Sequence, residues 1–468
     1  MWNPFGWMGK SKKQRAVERL AAGILRSTEA SPRAHDHFNN GNFDVSNDLL
    51  VTEAERSRLR SWCKKEYLDN PHARHIARSF ALATYGTGPT LQITTDDEAL
   101  NTEIEKMFAE WSEAVGLNWM WYIALNSLFY DGEAFFHFCH NPDVPGEWGV
   151  ELIEARRIAE PFSAGMSENR LEGIVYNDWN KPVLYYVEKE YANPYFGAGR
   201  DFAPVPSERM LHFFLDDVVN QKRGMPMLQA SLETLASLQR ISRASLNAWE
   251  LAAALNVILE SQVEAADLLP CMPSGVDESE GGTLPAFQSI HIPKDGGGLL
   301  LPTGVRPYQM KNEHPTSQFA DNKNTYIIEA GLCAGEPRNI STGDSSSYNY
   351  SSAQLDNEIF GRWGGTVQAK IGTALNRMLL VSTASQVDER PAASAFFGKL
   401  RGKHVPATWY FPRMMEGLDR IKDASSDIAL VTAGLQTIRE YCQRHGKDYN
   451  AFMQQILKER AILQGNAT

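Results

Sequence analysis

Two short segments of the sequence begin like motifs that bind phosphate or carry a nucleophile. The Gly-Lys-Ser sequence at 9–11 has the end of a P-loop, but Pro4 stands where that motif requires its first glycine. The Gly-Asp-Ser sequence at 343–345 resembles the start of a nucleophile elbow, but Ser347 occupies the position of its second glycine. We therefore expect neither nucleotide binding nor nucleophilic catalysis at these segments.

Three pairs of histidines have the close spacing that occurs in halves of metal sites. They are His35 and His37, His72 and His75, and His137 and His140. None is followed by a second half at a spacing typical of zinc, and the aspartate pairs at 96–97 and 216–217 fall in segments of loop composition. The sequence therefore predicts no catalytic residue, no metal and no cofactor, and the histidines are expected to be structural or at the surface.

The composition is that of a multidomain globular chain, since 468 residues are enough for about two to four domains. The 46 basic and 57 acidic residues give a formal net charge of −11, which argues against a protein that coats DNA through its overall charge. Five scattered cysteines and an N-terminus without a secretory signal predict free thiols in a cytoplasm. No apolar run approaches the about 20 residues of a membrane helix, so we expect no spanning segment.

Hydrophobic periodicity predicts an α+β fold. Helices are expected at 53–80 with a break at Asn70 and Pro71, then at 98–130, 226–259, 317–334, from Ser351 to about 380, 427–444 and 449–463. Strands are expected at 133–138, 149–153, 173–177, 183–188, 288–292 and 299–301. Ser351 and Gln354 form a capping-box pattern at the start of the third long helix. The apolar stripe of that helix is Leu355, Ile359, Trp363, Val367, Ile371 and Met378.

Charge is distributed unevenly along the chain. Residues 1–34 carry seven basic and two acidic side chains, whereas residues 260–298 carry seven acidic side chains and one basic one. The acidic segment is rich in Pro and Gly and lies between two helical patterns, at 226–259 and 317–334. This order predicts a hairpin-like stalk with a tip, whose first helix would be about 50 Å long.

Several segments, in a fixed order from about residue 55 to 460, resemble the lambda-type portal proteins of tailed bacteriophages. They are Asn-Pro-His-Ala-Arg at 70–74, Asp-Gly-Glu at 131–133, Ile-Glu-Ala-Arg-Arg-Ile at 153–158, Gly-Ile at 173–174 with Pro-Val-Leu-Tyr-Tyr-Val at 182–187, His212, Arg-Gly-Met-Pro at 223–226, Tyr-Asn-Tyr-Ser-Ser at 348–352, Ala-Gly-Leu-Gln-Thr at 433–437 and Gly-Lys-Asp at 446–448. The proline that the family usually has before its closing helices is absent from 419–423.

The resemblance implies a portal fold assembled as a ring, typically twelve-fold, at one vertex of the capsid. Its parts map in order to a basic N-terminal arm at 1–54, a mixed α/β wing at 55–225, a stem helix at 226–259, a small α/β clip at 260–316, a second stem helix at 317–334, a tunnel loop at 335–350, the spine helix of the wing at 351–380 and a helical C-terminal crown region at 381–468. The arm is expected to contact DNA, a neighbouring capsid or scaffold protein, or solvent.

The resemblance also assigns three groups of functional residues. The DNA-facing tunnel loop contains Arg338, Asn339, Ser345, Ser346, Tyr348, Asn349 and Tyr350. Arg240, Arg243 and Lys323 are candidate channel cations, although Arg240 and Arg243 also fit the solvated face of an amphipathic helix. The clip surface that meets a partner contains Glu264, Asp267, Asp277, Glu278 and Glu280.

The function implied is a channel through which duplex DNA is packaged by the terminase motor and later ejected. The expected partners are copies of the same chain, duplex DNA, the terminase large subunit, a head-tail adaptor or tail protein, the major capsid protein and a scaffold protein, with no membrane. The expected location is the portal vertex of the virion, reached from the host cytoplasm during assembly. Two other functions stay open, namely a capsid-associated scaffold or adaptor without a channel and a DNA-processing hydrolase.

Overall fold

The structure of the protein is a computed structural model that describes residues 53–161, 169–189, 201–254, 258–261, 305–308, 318–346, 349–385, 396, 406–412, 414, 420–445, 447 and 449–465. The helices are α1 (Glu53–Asp69), α2 (Pro71–Tyr85), α3 (Glu98–Val115), α4 (Leu117–Tyr130), α5 (Leu232–Ala254), α6 (Gln318–Gly331), α7 (Arg338–Thr342), α8 (Tyr350–Ser385), α9 (Arg420–Thr432), α10 (Ile438–Arg444) and α11 (Tyr449–Gly465). The strands are β1 (Thr90–Ile93), β2 (Glu133–His140), β3 (Trp148–Ile153), β4 (Arg170–Leu171), β5 (Ile174–Tyr176), β6 (Pro182–Glu188), β7 (Phe202–Pro206), β8 (Met210–Phe214), β9 (Ile258–Ser261), β10 (Val305–Tyr308) and β11 (Ala407–Tyr410). The predicted mixture of helix and strand is confirmed.

The predicted break between the first two helices lies where the sequence places it. The Asn70 side chain accepts a hydrogen bond from the backbone N–H of His72 at 3.0 Å, and Pro71 occupies the first turn of α2. An asparagine N-cap followed by proline is a favourable start for a helix, because proline has no N–H to leave unpaired. The aromatic segment predicted as helical at 98–130 is divided into α3 and α4 by Gly116, whose φ is 68°.

The strands form small antiparallel sheets. A three-stranded sheet has the order β3-β2-β8 and a four-stranded sheet has the order β4-β5-β6-β7. A two-stranded ladder pairs β1 with β11, which joins residues 90–93 to residues 407–410. The four strands predicted between 133 and 188 are all present, as β2, β3, β5 and β6.

Helix α8 contributes to the main hydrophobic core only along part of its predicted stripe. Val367, Ile371 and Met378 are buried, together with the large aromatic residues of α3, α4 and β2. Leu355 and Ile359, nearer the N-terminus of the helix, are 58% and 57% exposed. The apolar stripe predicted at 355–378 therefore faces the core of this chain in its C-terminal half alone.

Residues 237–324 form a second compact unit, separate from the unit formed by the residues on either side of them. Within it, Trp249 of α5 packs against Phe319 of α6 with ring centroids 5.7 Å apart, and β9 pairs antiparallel with β10. The prediction of helix as far as residue 259 was wrong, because 258–261 form β9. The 23 residues of α5 span about 35 Å. The strands predicted at 288–292 and 299–301 lie outside the described residues.

The C-terminal part differs from the sequence prediction in the number of its helices. One helix was predicted at 427–444, but α9 begins at Arg420 and is separated from α10 by a turn in which Gly434 has a φ of 70°. The backbone N–H of Leu435 donates to the carbonyl of Leu430 at 3.0 Å and so closes the end of α9. The apolar residues continue at helical spacing across the turn, so periodicity alone did not indicate the break.

A buried cluster of charged residues joins the sheets to the helices. The Glu133 carboxylate accepts hydrogen bonds from Arg223 Nη2 at 2.5 Å, Arg60 Nη2 at 2.6 Å and the backbone N–H of Gly224 at 2.8 Å. Its other close neighbour is His212 Nε2, at 2.9 Å. Glu133 and Arg223 are each 1% exposed, so their charges are compensated by these contacts and not by water.

The second carboxylate of this cluster is Glu172, which pairs with Arg56 and lies 3.5 Å from Arg223 Nη1. Arg223 also donates to backbone carbonyls, at 2.7 Å to Glu172 and 3.3 Å to Ala155. Arginine is suited to this position because its planar guanidinium carries five donors. The cluster, which we call the buried charge cluster, thus contains Arg56, Arg60, Glu133, Glu172, His212 and Arg223.

The protonation of the two central residues of the buried charge cluster follows from their partners. Burial by itself raises the pKa of Glu133, but the charges of Arg223 and Arg60 and the bond to His212 hold it well below its usual range. Burial lowers the pKa of His212 despite the neighbouring Glu133. The depressed pKa of Glu133 means that its stabilising contribution is present above the pKa of an unfolded glutamate and is lost as the pH falls through the lower folded value.

We predict that Glu133→Gln lowers the free energy of unfolding by about 3–5 kcal/mol near neutral pH, since it removes the closest counter-charge of two buried guanidinium groups. The matched control is Glu151→Gln, which breaks the 2.7 Å pair between His137 and Glu151 on the half-exposed side of β3. That change should cost about 1 kcal/mol or less. Chemical denaturation of both variants checks the prediction, and equal losses would contradict it.

Candidate functional site

The segment predicted as a polar tunnel loop, 335–350, contains a short helix. A turn at Leu332–Ala334 follows α6, Gly335 adopts a left-handed conformation with φ 68°, and Pro337 precedes α7. Gly343 ends α7 with a φ of 67°. The prediction of an irregular loop throughout was therefore wrong for Arg338–Thr342, since proline before the first turn and glycine after the last are favourable helix boundaries.

Helix α2 holds the first half of this segment. His75 Nε2 lies 2.7 Å from the carbonyl oxygen of Ile340, and Ser79 Oγ lies 2.6 Å from Glu336 Oε1. His75 and Ser79 are four residues apart and thus on one face of α2. On the other side, Ser341 is buried against Gly331, where an added Cβ would lie 2.0 Å from Ser341 Oγ.

Glu336 is the buried acid at the base of the segment, with 2% of its surface exposed. Burial raises the pKa of Glu336 to about 8, although its hydrogen-bond contacts with Ser79 and Ser341 act in the opposite direction. Ser341 Oγ lies 3.4 Å from Glu336 Oε2. A buried carboxyl group without a cationic partner favours its neutral form, because the charged form loses its hydration.

The residues predicted to face DNA occupy different environments. Ser345, Ser346 and Asn349 are exposed, whereas Arg338 and Asn339 are half-buried. Arg338 Nε and Asn339 Oδ1 have no hydrogen-bond partner in the part of the chain that the structure describes. Tyr348 lies outside the described residues, and Tyr350 begins α8. The exposed polar positions follow α7, so the loop proper is 343–349.

The residue that caps α8 is Asn349, not the predicted Ser351. Asn349 Oδ1 accepts hydrogen bonds from the backbone N–H and from the hydroxyl of Ser352, both at 2.9 Å. The helix begins at Tyr350, so Ser352 is its third residue and one of the backbone donors that need a capping acceptor. The capping box predicted from Ser351 and Gln354 was placed two residues too late.

The other predicted residues lie in the second compact unit or outside the described residues. Arg240 and Arg243 are exposed on α5, with Arg240 Nη2 3.0 Å from Ser237 Oγ, and Lys323 is half-buried on α6. The predicted clip residues Glu264, Asp267, Asp277, Glu278 and Glu280 all lie outside the described residues. Their partner surface stays a prediction.

The histidine pairs have structural or surface environments where they are described. His137 pairs with Glu151, and His140 Nδ1 lies 3.8 Å from Glu147 Oε2. Across the described ranges, no three His, Cys, Asp or Glu side chains come together in a way that could hold a metal ion. His35 and His37 precede the first described residue. None of the helices that the structure describes has the length and apolar composition needed to cross a membrane.

The contact that holds segment 336–341 against α2 was not predicted from the sequence. His75 was interpreted as part of a metal-like pair, and neither Ser79 nor Glu336 was singled out. One local signal was present, since a histidine and a serine at positions i and i+4 share a helix face. Their partner lies 257 residues away from Ser79 in the sequence, and spacing carries no information on such a contact.

We predict that Asn349→Ala destabilises the chain by about 1 kcal/mol, because it removes the acceptor for the first turn of α8. Ser351→Ala is the matched control, since it removes the hydroxyl that the sequence pattern favoured as a cap, and its effect should be within about 0.5 kcal/mol. Thermal unfolding of the two variants measures the difference, and a larger loss for Ser351→Ala would contradict the assignment.

Most of the chain is similar in sequence to a known protein. The chain is 23% identical over 447 residues to a protein named probable portal protein from Halomonas phage phiHAP-1, covering 87% of this chain and 81% of that one. A chain in the virion of a native gene transfer agent particle is 14% identical with a TM-score of 0.44, covering 82% of this chain and 93% of that chain. A chain in the neck of the native particle is 14% identical with a TM-score of 0.46, covering 75% and 89%. The family model of phage portal proteins of the lambda family matches residues 31–362, more than half of the sequence, and the chain belongs to that family.

Proposed function

We propose that copies of this chain form a ring, with twelve subunits as the expected number, at one vertex of a phage capsid. Duplex DNA passes through the ring during packaging by the terminase motor and again during ejection, and the ring also docks a head-tail adaptor or tail protein. The observation that carries this proposal is the match to the portal family over residues 31–362. The major capsid protein and a scaffold protein are the expected neighbours, at the portal vertex of the virion.

The parts of the subunit follow the order of the chain. We assign 55–225 and 351–380 to the wing, α5 and α6 to the stem, 260–316 to the clip and 381–468 to the crown region. The packing of Trp249 on Phe319 and the pairing of β9 with β10 support the stem and the base of the clip, because both lie within the compact unit 237–324. The acidic clip residues Glu278 and Glu280 are assigned to the surface that meets a basic face of the motor or adaptor.

The physical task of such a channel is to let DNA slide without holding it. A duplex carries one negative charge per about 1.7 Å of its axis, so dense phosphate contacts would arrest it. Helix α5 balances Arg240 and Arg243 with two acidic residues, Glu233 and Glu250. A net charge of −11 on the whole chain also favours a conduit over a tight binder. Sparse cations in an acidic channel keep the duplex centred and mobile.

Within this channel, the segment 343–349 supplies mainly short polar side chains toward DNA. Ser345 and Ser346 are exposed, and the carboxylate of Asp344 accepts a hydrogen bond from the backbone N–H of Ser346 at 2.9 Å. Contacts of this kind are weak and independent of base sequence, because they reach the phosphate backbone and not the base edges. Arg338, at the start of α7, is the one cation of the segment 336–350.

Imaging of the purified chain separates the portal from its rivals. Images in negative stain should show rings with a central pore. Symmetry averaging of these images then gives the number of subunits in the ring. A population of monomers or closed oligomers without a pore would contradict the proposal and favour the scaffold or adaptor. A DNA-processing hydrolase would instead cut or modify duplex DNA in the presence of a divalent cation, with no requirement for a ring.

A shortened loop tests the contact with DNA. Removing 344–347 leaves the buried Ser341 and the α8 cap Asn349 in place, so rings should still assemble. We expect particles with this variant to package or retain several-fold less DNA, because the channel loses its loop. A variant of full length with Ser345→Ala and Ser346→Ala separates the loss of loop length from the loss of hydroxyl groups. Wild-type packaging and retention by the shortened variant would contradict this role.

A further inference from the structure

The contact between α2 and the segment 336–341 contains a carboxyl group with no counter-charge. Glu336 is 2% exposed and makes no ion pair within the described residues. Its closest polar neighbours are two hydroxyl groups, Ser79 Oγ at 2.6 Å and Ser341 Oγ at 3.4 Å. The other titratable groups next to this contact are His75 on α2 and the Cys333 thiol, whose pKa burial raises to about 11. None of these supplies a positive charge through a direct contact.

The hydroxyl of Ser79 has three oxygen atoms within hydrogen-bond distance but only one hydrogen to donate. Ser79 Oγ lies 2.7 Å from the carbonyl oxygen of His75 and 3.1 Å from that of Ile76, besides the 2.6 Å contact to Glu336. A serine hydroxyl has one hydrogen, and in a helix it commonly donates that hydrogen to the carbonyl four residues earlier. If Ser79 donates to His75, the short contact to Glu336 needs a hydrogen from the carboxyl group.

We propose that Glu336 is protonated and donates to Ser79, which donates to the His75 carbonyl, and that this relay is a positioning site that holds the DNA-facing segment on α2. The contact of His75 Nε2 with the carbonyl of Ile340, at 2.7 Å, completes the clamp from the same helix face. Two points of attachment, at 336 and 340, fix both ends of the first turn of the segment. The inference rests on the proposed function only in that loop 343–349 is the part that faces DNA.

The burial of Glu336 is consistent with this relay, since it raises the pKa to about 8 and keeps the group neutral near pH 7. The sign of the pH dependence follows. A carboxyl group whose folded pKa lies above its unfolded value contributes stability that is present at low pH and is lost as the pH rises through the folded pKa, here about 8. The clamp should therefore loosen when Glu336 ionises, because the buried carboxylate then has neither a counter-charge nor hydration in this position.

Hydrogen exchange on the assembled full-length chain, without DNA, tests the relay at about pH 7 and about pH 9. In the wild type, the hydrogen-exchange protection of residues 337–342, relative to that of α3, should fall about tenfold between these conditions. A tenfold change is expected because about pH 9 lies one unit above the pKa of Glu336. Glu336→Gln keeps a neutral donor at this position and should retain its protection at both pH values. A Glu336→Gln variant that loses protection as the wild type does would overturn the proposal.

A serine pair supplies the matched control. Ser79→Ala removes the middle of the relay and should lower protection of 337–342 at both pH values. Ser61→Ala removes the same type of bond, from Ser61 Oγ to the carbonyl of Ser57 at 2.9 Å on α1, and should leave that protection unchanged. Equal effects of the two substitutions on 337–342 would overturn the proposal.

Infrared difference spectroscopy reports the proton itself. The wild type should show a protonated carboxyl band near neutral pH that disappears as the pH rises through about 8 and that is absent from Glu336→Gln. A spectrum in which the two proteins do not differ near neutral pH would overturn the relay. These readouts need no DNA, so normal packaging by the shortened loop would remove the DNA-facing role of 343–349 and leave the relay in place.

Discussion

The ion pair between Glu133 and Arg223 connects two points of the chain that are 90 residues apart in sequence. Glu133 begins β2 directly after α4, and Arg223 precedes the Gly-Met-Pro sequence that leads into α5. Because both side chains are buried, loss of either charge would leave the other without its closest ionic partner, at a cost of about 3–5 kcal/mol. The pair therefore fixes the backbone of the residues that lead into α5 against the start of β2.

Several segments that carry the resemblance to portal proteins meet at this ion pair. An added Cβ on Gly224 would lie 2.1 Å from the carbonyl oxygen of Gly132, and one on Gly132 would lie 2.3 Å from the carbonyl carbon of Met225. The two glycines thus let the backbones approach closely enough for Glu133 to accept from the N–H of Gly224. The resemblance identified each segment in order, but residue spacing could not predict that they touch, because a contact across 90 residues leaves no local period.

The features that depend only on neighbouring residues could be predicted from local sequence patterns. The break at Asn70, the strands between 133 and 188 and the existence of α5, α6 and α8 follow from caps, turns and periodicity. The predictions were wrong where the sequence fitted two kinds of secondary structure, or where a contact with a distant segment determines the structure. Residues 258–259 are apolar, which fits a helix as well as a strand, and they form a strand that pairs with β10. The apolar pattern of the C-terminal helices also continues through the turn at Gly434. At the candidate site, the exposed loop could be predicted from composition, whereas its attachment to His75 and Ser79 required the tertiary structure.

Two buried carboxyl groups of this chain differ in the charge of their partners. Glu133 has two guanidinium partners, so its pKa is depressed and it stays ionised; Glu336 has hydroxyl partners only, so burial raises its pKa to about 8. Breaking the contacts of Glu133 is costly because it takes away the closest partners of buried charges. A hydrogen bond between neutral groups, by contrast, contributes about 0.5–1.5 kcal/mol. The channel proposed above needs a firm frame around a loop that can move. The difference in partners between Glu133 and Glu336 places the strong interaction in the frame and the weak one at the base of the loop.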